Sequence, residues 1–181
     1  MKRRTETKLI DNQDKSAWCE EGARFEVEFV ATYPQLGFVL NPQRRFDKYA
    51  PDLIHRLTGR RADLKTRDSP WRHSERMFGI PPQWAVSFNR NKRERYAKLY
   101  PEITVLFWRR YPGMAELVMY CSFAMLDIYC NECHLHEYQD RVDEDGNATH
   151  SYILDLRNPL FFQLIPKTRV AIRQGGVGDI K

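Results

Sequence analysis

The stretch from Pro51 to Lys65 constrains this chain most, because it reads as a hairpin that gathers acidic and basic side chains onto one face. Thr58-Gly59 is a turn pair of the length that hairpins favour, with residues 53–57 and 60–65 as its two arms. Antiparallel pairing about that turn sets Asp52 opposite Lys65 and Ile54 opposite Asp63. Side chains alternate along a strand, so Asp52, Ile54, Arg56, Arg61, Asp63 and Lys65 share one face while Leu53, Leu57, Ala62 and Leu64 take the other. In this register Asp52 and Asp63 are diagonal neighbours with Cβ atoms about 7 Å apart, a span that two carboxylates can close around one shared cation.

The flanking sequence supplies elements for the hairpin to pack on. Ser16 is a good N-cap, and Trp18, Gly22, Phe25, Phe29 and Tyr33 recur at helical spacing, which predicts a helix over 16–33. At about 100° per residue, Glu20 and Glu28 point away from that stripe, Glu21 sits on its flank and Glu26 lies closest to its centre. A buried carboxylate needs a compensating partner, so Glu26 either joins a charged site or is an edge residue paired to an arginine. Residues 36–40 read as a first strand stopped by Asn41-Pro42, and the hairpin adds two more. Residues 84–88 alternate like a strand yet can open a helix. Residues 93–100 read as a helix ended by Pro101, and 103–108 as a buried strand.

Pro51-Asp52, a spacer that can turn, and then Asp63-Leu64-Lys65 resembles the signature of the PD-(D/E)xK nuclease superfamily, which includes restriction endonucleases, archaeal-type Holliday-junction resolvases and phage nucleases. The order helix, three strands, helix, strand is similar to that superfamily's core. The resemblance implies an α/β, restriction-endonuclease-like fold, a mixed sheet flanked by helices, here with a β-rich C-terminal extension. It implies a Mg²⁺- or Mn²⁺-dependent endodeoxyribonuclease. It also implies that Glu26, within Gly22-Ala23-Arg24-Phe25-Glu26, completes the metal site, and that Gln83, Asn89 and Lys92 contact phosphate.

Residue chemistry fits that assignment. Magnesium prefers carboxylate oxygens and water, so Asp52, Asp63, the backbone carbonyl of Leu64 and Glu26 make a suitable partial shell. Lys65 would orient the attacking water or stabilise the pentacovalent phosphate; a plain salt bridge to the facing Asp52 explains the same lysine. Asn91 and Glu94 have the spacing of a capping box.

A chain of 181 residues can bury a substantial core, and we expect one domain: a core over about 16–110, an extension over about 111–173 and a tail over 174–181. No apolar run approaches the roughly 18 residues of a membrane span, and Met1-Lys2-Arg3-Arg4 leads into polar sequence, so a cytoplasmic protein of a bacterium or a phage-infected cell is expected. Its four cysteines should then be reduced. The net charge is only +5, but arginines and lysines crowd the hairpin and the later helix. Arg44, Arg45, Arg61 and Arg67, with Gln83, Asn89 and Lys92, are the candidate nucleic-acid contacts and DNA the expected partner. Tyr49, Trp71, Trp84 and Tyr96 can stack on bases or belong to the core. Cleaving both strands with one site per chain would call for two copies, hence a homodimer.

The rival signal is Cys130-Asn131-Glu132-Cys133-His134-Leu135-His136. Cys130, Cys133, His134 and His136, with Cys121 or His150 in reserve, can be read as a structural zinc site, and equally as reduced strand cysteines beside surface histidines. That signal supports the alternative function, a non-catalytic nucleic-acid-binding module whose hairpin acids merely bridge the arginines around them. Residues 136–142 and 152–156 read as a hairpin with an acidic turn over 143–147, which lacks the ligands of a calcium loop.

Overall fold

The computed structural model describes residues 15–138 and 149–164. Phe25 and Phe29 lie one turn apart in α1 (Lys15–Thr32), and Tyr33 follows directly after its end. The helix begins at Lys15, so it takes in Ser16 and starts one residue earlier than expected. Pro34 opens a 3-10 turn over Pro34–Leu36, which takes Leu36 out of the first strand, so β1 is only Phe38–Leu40. Asn41-Pro42 ends that strand as expected, with the Asn41 side chain accepting from the Gln43 amide at 3.1 Å.

The hairpin forms from β2 (Leu53–His55) and β3 (Arg61–Arg67), but with a longer turn than Thr58-Gly59 alone. The Gly59 amide donates to the His55 carbonyl at 2.9 Å and the His55 amide to the Arg60 carbonyl at 2.8 Å, so four residues, 56–59, make the connection. Gly59 adopts φ +67°, a left-handed conformation that favours glycine, and the Thr58 hydroxyl lies 3.1 Å from His55 Nδ1. The register is Leu53 with Ala62 and Ile54 with Arg61, two residues away from the sequence-based one. A shift of two preserves the faces. It also moves Asp63 from a diagonal position to the place directly across from Asp52. Leu57, expected on the apolar face, is in the turn and 91% exposed.

Residues 84–88 resolve as strand: β4 is Ala85–Asn89, after a short helix α2 (Ser74–Phe78). Helix α3 (Arg90–Leu99) starts earlier than residue 93, with Asn89 at its N-cap. Asn91 is thus inside the helix and makes no capping box; Glu94 instead pairs with Arg90 at 2.9 Å. Then come β5 (Thr104–Arg109), β6 (Leu117–Ser122), α4 (Phe123–Cys130), β7 (His134–Glu137), β8 (His150–Asp155) and β9 (Phe162–Leu164). Neither β6 nor α4 was anticipated. Ser122 caps α4 by accepting from the Met125 amide at 3.4 Å.

The result is a mixed α/β fold. One sheet has the order β1-β2-β3-β5-β6-β9, parallel at β3/β5 and antiparallel elsewhere; a second has the order β4-β8-β7. Because β6 and β9 complete the first sheet and β8 pairs with β4, the C-terminal part is woven into the core. Aromatic side chains fix α1 to one face of the large sheet: Phe29 and Tyr33 pack edge-on to Trp108, over Leu53, Ala62, Leu64 and Leu106. The opposite face, with Val105, Phe107, Met119 and Cys121, packs against Tyr96 of α3, Phe123 and Leu126 of α4, and Phe88 and Leu154 of the second sheet. Among the described residues no helix is long and apolar enough to cross a membrane.

Candidate active site

Asp63 projects from β3 into that second face, where nothing but protein surrounds it: it is 0% exposed, and Asp52 is 4% exposed. Two ionised carboxylates at such depth would repel each other and lose their hydration, so the site must supply positive charge or hold a proton. It does both. Lys92 of α3 pairs with Asp63 Oδ1, Tyr96 one turn later donates its hydroxyl to the same oxygen at 2.8 Å, and Lys65 Nζ lies 3.3 Å from Oδ2. Arg44, from the 3-10 turn after β1, pairs with Asp52 Oδ1 and reaches Glu26 of α1 at 3.1 Å. Asp52 Oδ2 accepts the Leu64 amide at 3.0 Å.

The electrostatics separate the two aspartates. Burial pushes the Asp52 carboxyl up to about 7, and the charge on Asp63 pushes the same way against Lys92. Burial also opposes ionisation of Asp63, but Lys65 and Lys92 outweigh it and hold that carboxyl well below the usual range. Lys65 is lowered to about 8 by burial, with Asp63 opposing and Lys92 adding to the shift. Lys92 suffers the same desolvation, but Asp63 and Asp52 raise it well above the ordinary lysine value. Glu26 is raised by burial, with Arg44 opposing. The Tyr96 hydroxyl is raised by burial and by Asp63, so it stays a donor. The centre therefore holds an ionised Asp63, two ammonium groups and a carboxyl, Asp52, that exchanges its proton near neutrality.

Asp52, Asp63, Lys65, the Leu64 backbone and Glu26 thus come together from two elements, α1 and β3, and the loop ahead of β2. The other glutamates of α1 do not: Glu20 is exposed, Glu21 pairs with Arg24 at 3.4 Å and Glu28 with Arg110 at 2.5 Å. Several candidate nucleic-acid contacts are placed differently from expectation. Arg44 and Lys92 are taken up by the acids. Asn89 Oδ1 accepts from Ser151 Oγ at 3.0 Å, tying β4 to β8. Gln83 is half-buried and its carbonyl faces Arg109 Nη1 at 3.4 Å. Arg45 and Arg61 are exposed, the latter over the Tyr100 ring, and Arg67 is half-buried beyond Lys65. Tyr96 is core, with no face open for a base. Arg93, in the same basic run, ties α3 to α4 and β8 through Asp127 at 2.6 Å and Tyr152 at 3.0 Å.

The zinc reading is not supported by placement. Cys130 is buried in the last turn of α4, whereas His134 and His136 lie on β7 against Phe78, with His136 also against Trp71. Among the described residues no three His, Cys, Asp or Glu side chains form a ready-made metal cage. That includes Glu26, Asp52 and Asp63, whose oxygens are engaged by Arg44, Lys92, Tyr96 and the Leu64 amide. One oxygen stands apart: Asp63 Oδ2 is buried and accepts no hydrogen bond. An anionic oxygen that accepts no hydrogen bond, with a second carboxylate and the Lys65 ammonium beside it, has the chemistry to hold a hard cation.

Sequence reasoning missed Tyr96 and the bridging place of Arg44. The signal for Tyr96 was available, since Lys92 and Tyr96 stand four apart on one helix and must share a face. The turn over 143–147 lies outside the described residues, as does the tail over 174–181.

No protein-family model matches the chain, and no curated protein matches it. Among solved structures it is similar to the 1.6 Å structure of Archaeoglobus fulgidus Hjc, a Holliday junction resolvase from an archaeal hyperthermophile, at 12% identity and a TM-score of 0.38, over 77% of this chain and 93% of that chain. An overlap of that size fixes no family, so the functional reading rests on the site itself.

Proposed function

We propose that the chain is a single-domain nuclease that hydrolyses DNA phosphodiester bonds with Mg²⁺ or Mn²⁺. The observation that carries this reading is the buried Asp52–Asp63 pair, with Lys65 facing an Asp63 oxygen that accepts no hydrogen bond. This oxygen, Oδ2, faces the Lys65 ammonium across 3.3 Å without accepting a hydrogen bond, so it keeps lone pairs that a cation could use. Asp52, Asp63, the Leu64 carbonyl and Glu26 would hold the metal, which when bound neutralises phosphate charge and makes water a better nucleophile. The chain's own residues do the rest. Lys92 and Tyr96 fix Asp63 through Oδ1 and so leave Oδ2 turned toward Lys65. Lys65, charged at neutral pH because its value is about 8, is placed to stabilise the negative charge that grows on the phosphate. Arg44 balances Asp52 and Glu26 until a cation replaces it. Cleavage of both strands would involve two copies of the chain.

The alternative is a non-catalytic DNA-binding module, favoured by the fact that Arg44 already bridges Glu26 and Asp52. Incubating the full chain with supercoiled plasmid, linear duplex and four-way-junction DNA, with Mg²⁺, Mn²⁺ or EDTA, separates the two. Metal-dependent cleavage of any of these substrates is the expected result. Binding without cleavage under every metal condition would favour the module and overturn the nuclease reading.

A further inference from the structure

Past Lys65, β3 carries one more side chain on the same face, Arg67, and the parallel register sets it beside Arg109 of β5. Neighbouring like charges on adjacent strands are unfavourable unless an anion lies between them. Here none does: among the described residues neither arginine forms an ion pair. Arg109 is only 8% exposed, yet its Nε has no hydrogen-bond partner, and its guanidinium makes one long bond of 3.4 Å to the Gln83 carbonyl while lying 4.7 Å from the Trp84 ring centroid. Arg67 Nε is likewise buried and unpaired, and its Nη2 donates to the Ser69 carbonyl at 3.2 Å. A buried guanidinium normally has its donors filled, so Arg109, with the half-buried Arg67 beside it, is short of an acceptor that carries negative charge.

Position identifies the acceptor. A strand advances about 3.3 Å per residue, so Arg67 stands about 7 Å beyond Lys65 on the site face. That step is comparable to the spacing of neighbouring phosphates along one nucleic-acid strand. We propose that Arg67 and Arg109 form a second phosphate site, which holds the DNA phosphate adjacent to the scissile one on the same strand. This proposal rests on the reading of the Asp52–Asp63 centre as a DNA-cleaving site. Planar guanidinium forks suit a phosphate diester, and the Trp84 ring beneath Arg109 keeps its fork in place.

The test is binding of the full chain to a fluorescein-labelled DNA duplex and four-way junction in EDTA, across about 50 to 200 mM salt. Arg67→Gln with Arg109→Gln should weaken binding about tenfold at the lowest salt and reduce the salt slope by about 0.9, the loss of one phosphate contact. Arg157→Gln, which removes an exposed side chain paired with Asp155 across a turn, should change neither. A folded double variant with the wild-type slope and affinity overturns the proposal. If Arg109→Gln does not fold, Arg67→Gln alone carries the test: an unchanged slope overturns the proposal, and a reduced one supports it. Plasmid cleavage by the wild type separates the two readings. Cleavage with an unchanged slope in the variants removes only the second site. Binding without cleavage, with the slope reduced, keeps a phosphate site and removes the nuclease, while a wild type that binds no DNA removes both.

Discussion

Replacing Asp63 by Asn tests the charge balance of the site more sharply than a loss of activity would. Asp63 is fully buried, with Lys92, Lys65 and Tyr96 on its oxygens, so the substitution leaves two ammonium groups facing a neutral amide. Breaking a buried pair by neutralising one partner costs about 3–5 kcal/mol; because both lysine side chains retain some exposure, about 3 kcal/mol is expected. For a chain of this length each kcal/mol moves Tm by roughly 2–4 °C, giving a drop of about 6–12 °C. The pH dependence follows from opposite shifts of the two aspartates. Asp63, depressed in the folded state, contributes stability above its unfolded pKa that the variant lacks throughout. Asp52, raised to about 7, contributes stability at acid pH that is lost as pH rises from about 3.8 to about 7. Without Asp63 the Asp52 carboxyl ionises more easily and partly replaces the missing charge. The deficit of the variant should therefore be largest near pH 5 and shrink toward pH 8. Thermal melts of both proteins across that range are the assay, with metal-dependent cleavage, expected to vanish in the variant, measured on the same samples. A variant that melts with the wild type at every pH, or whose deficit grows with pH, would refute the assigned charge states.

Lys65→Ala should slow the chemical step by about 10²- to 10³-fold in single-turnover cleavage while leaving metal affinity nearly unchanged; normal cleavage with early melting would assign Lys65 to structure alone. Glu26→Gln should raise the Mg²⁺ concentration needed for half-maximal cleavage, and Glu20→Gln, on the exposed side of α1, should not. Tyr96→Phe removes a hydrogen bond to a buried charge, so a loss of about 1.5–3 kcal/mol in denaturant unfolding is expected, together with slower cleavage; an unchanged stability would show that the bond contributes nothing. Cleavage should also fall as pH rises through about 8, where Lys65 loses its proton, and Lys65→Arg should move that limb upward in a pH–rate profile.

The site was legible in the sequence to the extent that strand alternation governs it. Asp52, Asp63 and Lys65 had to share a face whichever even register formed, and Glu26 had to lie toward the buried side of its helix. The register itself was not legible. It depends on whether the turn closes over two residues or four, and the His55–Thr58 contacts and the left-handed Gly59 that select four are tertiary details of the loop. Charge runs misled for a different reason. Arg44, Lys92 and Arg93 look like surface cations because nothing nearby in sequence pairs with them; their partners, Asp52, Asp63 and Asp127, come from other elements. Strand β6 and helix α4 adjoin in one apolar stretch, 117–130, where neither period stands out and length alone could not divide strand from helix.

The one parallel junction among the described strands, β3 beside β5, sets the order in which they can assemble. The pairs β1–β2–β3 and β5–β6 close through short connections, whereas β3 and β5 meet only after residues 68–103 have looped across the sheet. Closing that loop is the larger entropic step, so the two local meanders should form ahead of the seam between them. Asp52 and Asp63 belong to the first meander together with Arg44 and Lys65, whereas Lys92 and Tyr96 arrive with the crossover, which means that Asp63 gains the two partners of its Oδ1 only when that seam closes. Pulsed hydrogen exchange during refolding should accordingly show the amides of β2 and β3 protected before the Tyr96 turn of α3. Until then Asp63 stays open to water on the side that Lys92 and Tyr96 later cover, so the charged centre is completed only together with the sheet.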